Sequence, residues 1–520
     1  MSIENKNTVS GTANSSIKKS LRFSASTVVS RMLGLVREQV FSHFFGAGAV
    51  VDSFYAAFRL PNLLREFFAE GALSAAYVPV FSQKIKDEGK QKAFLLTSMV
   101  LSVLLVILGA ITVIGIIFAP QLVHVIAAGF AKSPGQLELT ATLARIMFPF
   151  LVFVACAAAV MGTLNCFGKF GIPALAPAGF NIGLIIAGLF FRSYFEPPIL
   201  VMAWGALAGG VLQLVIQLPQ LYALGFRFKF IFSLADRSVR QIVRLMGPAA
   251  IGVAAAQVNI IVATLLASFL PTGSIAYLNY AFRLMHFPLG VFGVAIATVS
   301  LPELSAIAVE NKSNILLSKY IRSCKNQMLF LLPSALFLIV AARPICALIY
   351  QHGKFGWADT INAASALQAY CAGLVFFGLV RLSAQVFYAY KNTATPVKIS
   401  VIAMAINIAA SLLLMKPLGF VGLALAPGIA ALFNLSMLTV NIKKKIGQPD
   451  YRSLLIHFLK TIIAAGLGSV VMYLILKYFN DYSSYVGVLH NIFNLAVGFI
   501  AGGGIFVLIG SIFHLFKVTR

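Results

Sequence analysis

The sequence predicts an all-α polytopic membrane protein with fourteen transmembrane helices. Three observations carry that prediction. Hydrophobic residues make up 60% of the chain and charged residues only 11%, whereas soluble domains are roughly a quarter charged. Apolar runs of about 20 residues, enough to cross a hydrocarbon core of ~30 Å as a helix, recur from LLTSMVLSVLLVILGAITVIGIIFA (95–119) to FNLAVGFIAGGGIFVLIGSIF (493–513). The cations cluster in alternate loops. The alternation expected of a membrane β-barrel is absent.

Taken in order, residues 1–20 are polar, without an apolar core and small-residue cleavage site, and are expected to form a disordered cytoplasmic tail. The spans are placed at 22–45, 51–83, 94–119, 139–166, 173–192, 199–223, 241–269, 274–306, 325–342, 359–390, 396–415, 418–440, 454–476 and 489–515. The segments 230–245 and 343–353 are expected to be short interfacial helices. One set of loops collects Lys84, Lys86, Lys90 and Lys92, then Arg227 to Arg244, then Lys312, Lys319, Arg322 and Lys325, then Lys443 to Lys445. The opposite loops carry only scattered cations, so the positive-inside rule predicts that both termini are cytoplasmic.

The net charge of +25 would point to nucleic acid in a soluble chain. Here its placement in short loops accounts for it, and no nucleic-acid partner is expected. The five cysteines and seven histidines lack metal or redox spacing and read as packing residues. No GxxxxGK[ST] loop is present to bind a nucleotide. Acid residues are not clustered as a lipid-diphosphate hydrolase would need. Gly179/Gly183 and Gly205/Gly209 could serve contact between subunits or, more simply, helix packing within the chain.

An internal repeat organises the spans. AFRL at 57–60 recurs at 281–284, and the pairs Pro79/Pro302, Ser82/Ser305 and Pro173/Pro396 share a single offset, one position shorter than that of AFRL. Each repeat holds six helices, and an even number preserves orientation. The halves are therefore parallel repeats about a central cavity: an N-lobe at 21–225 and a C-lobe at 226–445, followed by a C-terminal two-helix hairpin at 446–520. Such an arrangement points to alternating access rather than a scaffold.

Within the spans lie Arg31, Arg37, Glu38, Asp52, Arg59, Arg65, Glu66, Glu70, Arg145, Arg283, Glu303 and Arg381. A charge at the centre of a membrane helix costs roughly 2.5–3.5 kcal/mol, so these groups must face water, pair, or lie near an interface. Asp52, Arg59 and Glu66 recur at heptad spacing and drift only about 20° per step. Asn62 and Glu70 extend that stripe, opposite an apolar face of Phe54, Leu60, Leu64, Phe68 and Leu73. Pro61 can bend the helix and free backbone carbonyls where a wet cavity tolerates them. The competing reading is a structural ion pair of Arg59 with Asp52 or Glu66. Arg283 aligns with Arg59 in the repeat. A cavity with surplus arginine favours a phosphate or diphosphate, and a cation-coupled multidrug exporter would want the opposite charge. Arg145 and Arg381 are read as structural.

These residues carry a resemblance. SRMLGLVREQVFSHFFGAGAVVDSFYAAFRLPNLLREFFAEGALSAAYVPVF (30–81), MGPAAIGVAAAQVNIIVATLLASFL (246–270) and YAFRLMHFPLGVFGVAIATVSLPELS (280–305) resemble the MurJ (MviN) family of lipid II flippases, in the multidrug/oligosaccharidyl-lipid/polysaccharide exporter superfamily. The likeness runs over essentially the whole chain. It implies transport of the undecaprenyl-diphosphate-linked peptidoglycan precursor across the bacterial inner membrane for cell-wall synthesis. Another polyprenyl-diphosphate oligosaccharide would fit the charges equally well. The resemblance implies substrate contacts at Arg31, Arg37, Arg65 and Arg283, an acidic position at Asp52, and Glu70 within FAEGA. Arg59 stands where members often have Lys, and Phe282 where some carry Asp. The last two helices would hold the lipid tail. The expected protein is a transporter rather than an enzyme, working as a monomer among membrane lipids without a cofactor. Moving two negative charges outward through 100 mV yields about 4–5 kcal/mol, so the membrane potential can drive the step; a monovalent cation is the other candidate.

Overall fold

The computed structural model describes residues 29–30, 32–310, 312–479 and 488–516, with the backbone alone at 69–72, 248–256 and 488. Arg31 and the 1–20 tail therefore lie outside the described residues, as does the side chain of Glu70. The described residues form helices and connecting segments without a strand. That follows from long apolar runs that must satisfy their backbone groups internally. Ten helices are long and apolar enough to cross a membrane. Large apolar side chains such as Val299 (67%), Leu413 (75%) and Ile500 (75%) are exposed, the inverse of a soluble protein's economy. The chain is a multi-pass membrane protein.

Contacts divide it into two compact units, Met1–Leu265 and Leu266–Arg520. The N- and C-lobe boundary at 225/226 rests instead on the repeat interval. In the first unit, α1 (32–45) is followed by α2 (Ala49–Arg65), a π-helical turn (Glu66–Gly71) and α3 (Ala72–Ile117). Then come α4 (Ala119–Ile126), α5 (Gln136–Met147), α6 (Phe150–Cys166), α7 (Gly171–Ile186), α8 (Leu200–Val215), α9 (Leu218–Ala223) and α10 (Arg237–Ser268), within which the division falls. The expected span 139–166 is two helices, because Pro149 at the start of α6 has no N–H to continue the ladder. Its core packs Leu73, Phe81, Leu108, Phe150 and Val154. Within it Tyr77, fully buried, shares its hydroxyl with Thr97 (2.8 Å) and Thr163 (2.7 Å), joining α3 to α6. The Gly179/Gly183 and Gly205/Gly209 stripes pack α7 on α8: a Cβ at Gly183 would lie 2.6 Å from the Gly209 backbone. Small residues here bring helices of one chain together.

The expected interfacial helix at 230–245 is not formed as such. Residues 226–233 have no regular structure and α10 starts at Arg237. Phe226, Phe228, Phe230 and Phe232 alternate with period two, which suits extended chain rather than helix. Ser98 and Ser102, one turn apart on α3, accept from the backbone N–H groups of Lys229 (3.4 Å) and Ile231 (3.0 Å). Asp236 then caps α10 through Ser238 and Val239.

The second unit begins with α11 (Ser274–Pro288), a π-helical turn (Leu289–Val294) and α12 (Ala295–Val309). It continues through α13 (Ser313–Val340), α14 (Ala342–Tyr350), α15 (Trp357–Ala372), α16 (Leu374–Ala389), α17 (Ala394–Ile446), α18 (Tyr451–Tyr478) and α19 (Val488–Ile512). The short helix expected at 343–353 is α14. The closing pair packs through Gly468 and Gly502, where a Cβ on Gly468 would meet the Gly502 carbonyl at 2.4 Å. Phe337 of α13 joins Ala464, Ala465 and Met472 of α18 in a second core.

The offset that separates Pro79 from Pro302 reappears in the backbone. The π turns begin at Glu66 and Leu289 and end at Gly71 and Val294. The short helices α4 and α14 begin at Ala119 and Ala342. Gly168 (φ 71) closes α6 and Lys391 (φ 57) closes α16. The flanking bonds match: Lys169 N–H donates to Leu164 C=O at 3.0 Å, and Asn392 N–H to Phe387 C=O at 2.9 Å. Every one of these pairs has the same spacing along the chain. Non-helical glycines also break α3 at Gly89 (φ 84) and α17 at Gly419 (φ 56).

Candidate anion-binding site

Two groups of intramembrane charges stand out in the first unit. Arg37 on α1 is 7% exposed and Glu38 1%; their side chains form an ion pair. Arg37 also donates to Asn181 Oδ1 on α7 (3.1 Å), and its guanidinium lies 5.6 Å from the Phe180 ring centroid. Tyr55 on α2 donates to the second Glu38 oxygen at 2.7 Å, and Asn181 Nδ2 donates to Ser30 C=O at 3.1 Å. Removing ions from water is costly unless each is paired and its remaining sites are bonded. This network meets that condition and ties α1, α2 and α7 together. In this conformation Arg37 is committed to protein partners. The sequence offers Glu38 as the one acid on the same span as Arg31 and Arg37. It carries no signal for Asn181, 144 residues away.

The second cluster lies where α2 runs into its π turn. Arg59, Arg65 and Glu66 are half-buried there, whereas Asp52, 2% exposed, sits in the first turn of α2 at the other end of the helix. Asn62 Oδ1 accepts from Arg65 Nε at 3.0 Å and Asn62 Nδ2 donates to Glu66 Oε1 at 3.4 Å. Gln257 of α10 donates to Glu66 Oε2. Fixing Nε orients the flat guanidinium while its terminal nitrogens define the fork that matches a phosphate. Pro61, buried inside α2, cannot supply an N–H to the Ala57 carbonyl. The apolar face is as the spacing predicts: Leu73 lies in the core and Leu64 and Phe68 pack against it. Gln257 is invisible to sequence reasoning, since nothing local to α10 marks it.

In the second unit Arg283 is exposed on α11. Arg381 of α16 is exposed too, and both are within electrostatic reach of His286. His286 packs against Phe282 with the rings tilted by 54° and their centroids 4.1 Å apart. The sequence gives His286 no role, although it stands three residues from Arg283 on α11, and reads Arg381 as structural; only the fold brings Arg381 of α16 within reach of that histidine. Arg145 behaves structurally: its Nε donates to Ile116 C=O (3.3 Å), capping the end of α3. Among the described residues no group of three His, Cys, Asp or Glu side chains could hold a metal ion.

Residues 41–494 match the sequence profile of the family described as "Lipid II flippase MurJ". The chain belongs to the MurJ family. Among MurJ relatives, a probable lipid II flippase MurJ from Haemophilus influenzae is 36% identical over 463 residues, covering 86% of this chain and 90% of the relative. The lipid II flippase MurJ of Burkholderia cenocepacia is 34% identical over 435 residues, covering 83% and 84%. A solved structure of lipid II flippase MurJ in an inward closed conformation superposes with a TM-score of 0.79 at 28% identity, covering 95% of this chain and 98% of that one. An inward-facing multidrug MATE transporter shares the fold at a TM-score of 0.66 and 16% identity, covering 80% and 95%.

Proposed function

We propose that this chain flips lipid II from the cytoplasmic to the outer leaflet of the bacterial inner membrane by alternating access, supplying cell-wall synthesis. The family match over residues 41–494, with relatives 36% and 34% identical along most of the chain, carries this reading. The protein is a transporter; both termini are cytoplasmic and it works as a monomer.

Fourteen crossings arise if the helices broken at Gly89 and Gly419 each cross twice and 32–45 and α10 add one apiece to the remaining spanning helices. The two six-helix repeats are supported by the constant offset between paired π turns, short helices and left-handed caps. Arg65, oriented by Asn62, and Arg59 supply cations from the first unit, and Arg283 supplies one from the second. Arg31 is assigned to the same role by its motif alone. Asp52 and Glu70 balance the charge, and Arg37 holds α1 in register unless a conformational change frees it from Glu38. The last two helices receive the lipid tail. Export of the diphosphate's negative charge is driven by the membrane potential, the alternative source being a monovalent cation.

The test is complementation of a strain conditionally depleted of its lipid II flippase, with lipid II measured in each leaflet. Arg283→Ala is expected to insert normally and to leave lipid II in the inner leaflet. Wild-type transport by that variant would refute the role of Arg283, and failure of the unmodified chain to complement would refute the function.

A further inference from the structure

One recess in the second unit is lined by none of the residues assigned to transport. It has a volume of about 410 Å³ and is formed by one face each of α12 and α13. Ile296, Val299 and Glu303 recur at helical spacing on α12; Lys319, Arg322 and Asn326 do so on α13. Its floor is a buried serine pair, Ser300 donating to Ser323 at 3.2 Å. Glu303 is bonded to Lys319 at 2.7 Å and Glu310 to Lys312 at 2.7 Å. Lys325 reaches Ser453 at 2.6 Å. Among the described residues no carboxylate pairs with Arg322, which is exposed beside Asn326 at the recess. On the opposite wall Val299 is 67% exposed. The recess therefore joins one uncompensated guanidinium and an amide donor to an apolar wall.

We infer that this recess binds the phosphodiester headgroup of an anionic phospholipid. Arg322 and Asn326 hold the phosphate while an acyl chain lies along Ile296 and Val299. Charge counting separates this ligand from the transported one: the recess offers one surplus cation, which matches a phosphodiester monoanion better than a diphosphate. Basic recesses between membrane helices on the cation-rich side of a protein commonly hold such headgroups, and a charged donor strengthens each hydrogen bond to phosphate. The inference does not depend on which lipid the protein transports.

The two charged residues Arg322 and Glu303 give opposite predictions. The purified full-length protein in detergent is titrated with dioctanoyl phosphatidylglycerol, dioctanoyl phosphatidylcholine and inorganic phosphate, with binding read by calorimetry. Phosphatidylglycerol is expected to bind more tightly than the other two and to weaken as salt rises. Arg322→Gln is expected to lower that affinity about tenfold, Arg322→Lys to restore part of it, and Glu303→Gln, by releasing Lys319, to raise it. Both positions are exposed, and unchanged melting temperatures establish that folding is intact. The inference is overturned if the two charge variants bind phosphatidylglycerol like the unmodified protein. It is also overturned if inorganic phosphate competes as well as the lipid, or if phosphatidylcholine binds equally.

Discussion

The two π turns, Glu66–Gly71 and Leu289–Val294, occupy equivalent positions in the repeat and differ completely in chemistry. In the first unit the turn opens with Glu66, held by Asn62 and Gln257 and preceded by Arg65. In the second the turn is apolar, and its irregular backbone is served by Gln327, fully buried on α13, whose amide donates to Gly293 C=O at 3.1 Å. A π turn leaves backbone groups out of step with the helix and recurs at functional positions. The shared feature is thus a backbone device, and the charges are a specialisation of one unit. The arginines follow the same division: Arg37 is sealed in a buried network, whereas Arg283 is exposed.

The sharpest way to break this comparison is to remove one arginine from each unit. Arg37→Ala strands Glu38 in the interior and is expected to cost about 3–5 kcal/mol, seen as a large fall in melting temperature in detergent. Arg283→Ala should leave the melting temperature within the scatter of surface substitutions, about 0.5 kcal/mol, while abolishing transport. Equal destabilisation by both would erase the distinction.

A smaller effect is expected from the glutamines that serve the π turns. Gln327→Leu removes the donor to Gly293 and should cost about 1–3 kcal/mol by leaving a buried carbonyl unmet, read by thermal unfolding. Gln257→Leu loosens Glu66, which keeps Asn62; it should reduce transport in the depletion assay more than it reduces stability.

The smallest effect concerns the matched caps. Lys391 adopts at φ 57 the conformation that Gly168 adopts at φ 71, at a steric cost of about 1–2 kcal/mol for a residue with a Cβ. Lys391→Gly is therefore expected to stabilise by about 0.5–1 kcal/mol after the added freedom of the unfolded chain is subtracted. Gly168→Ala should destabilise by a similar amount. Matching shifts of opposite sign in melting temperature would show that the two caps are one device.

Much of the architecture is legible because its causes are local. Apolar runs declare spans, and glycine-bearing polar loops declare their ends; the break at Pro149, inside the expected span 139–166, is seen only in the fold. The face of α2 carrying Leu64 and Phe68 is readable from spacing alone. The site is legible only as residue types. Heptad spacing aligns Asp52, Arg59 and Glu66 on one side of α2, yet gives no sign that Asn62 bridges Arg65 and Glu66. At 226–233 two local signals compete: the amphipathic charges beside the run suggest a helix, and the aromatic period of two, which the structure follows, suggests extended chain.

By itself, then, the sequence determined that this is a membrane protein of apolar helices, that its halves share markers at a constant offset, and that arginines sit where lipid alone would not tolerate them. Those properties depend on hydropathy and periodicity, which each segment carries within itself. Only the tertiary structure decided which arginine is spent on the fold. The partners that settle it, Asn181 for Arg37 and Gln257 for Glu66, lie 144 and 191 residues away along the chain. A hydrogen bond is set by distance in space, which no local pattern encodes.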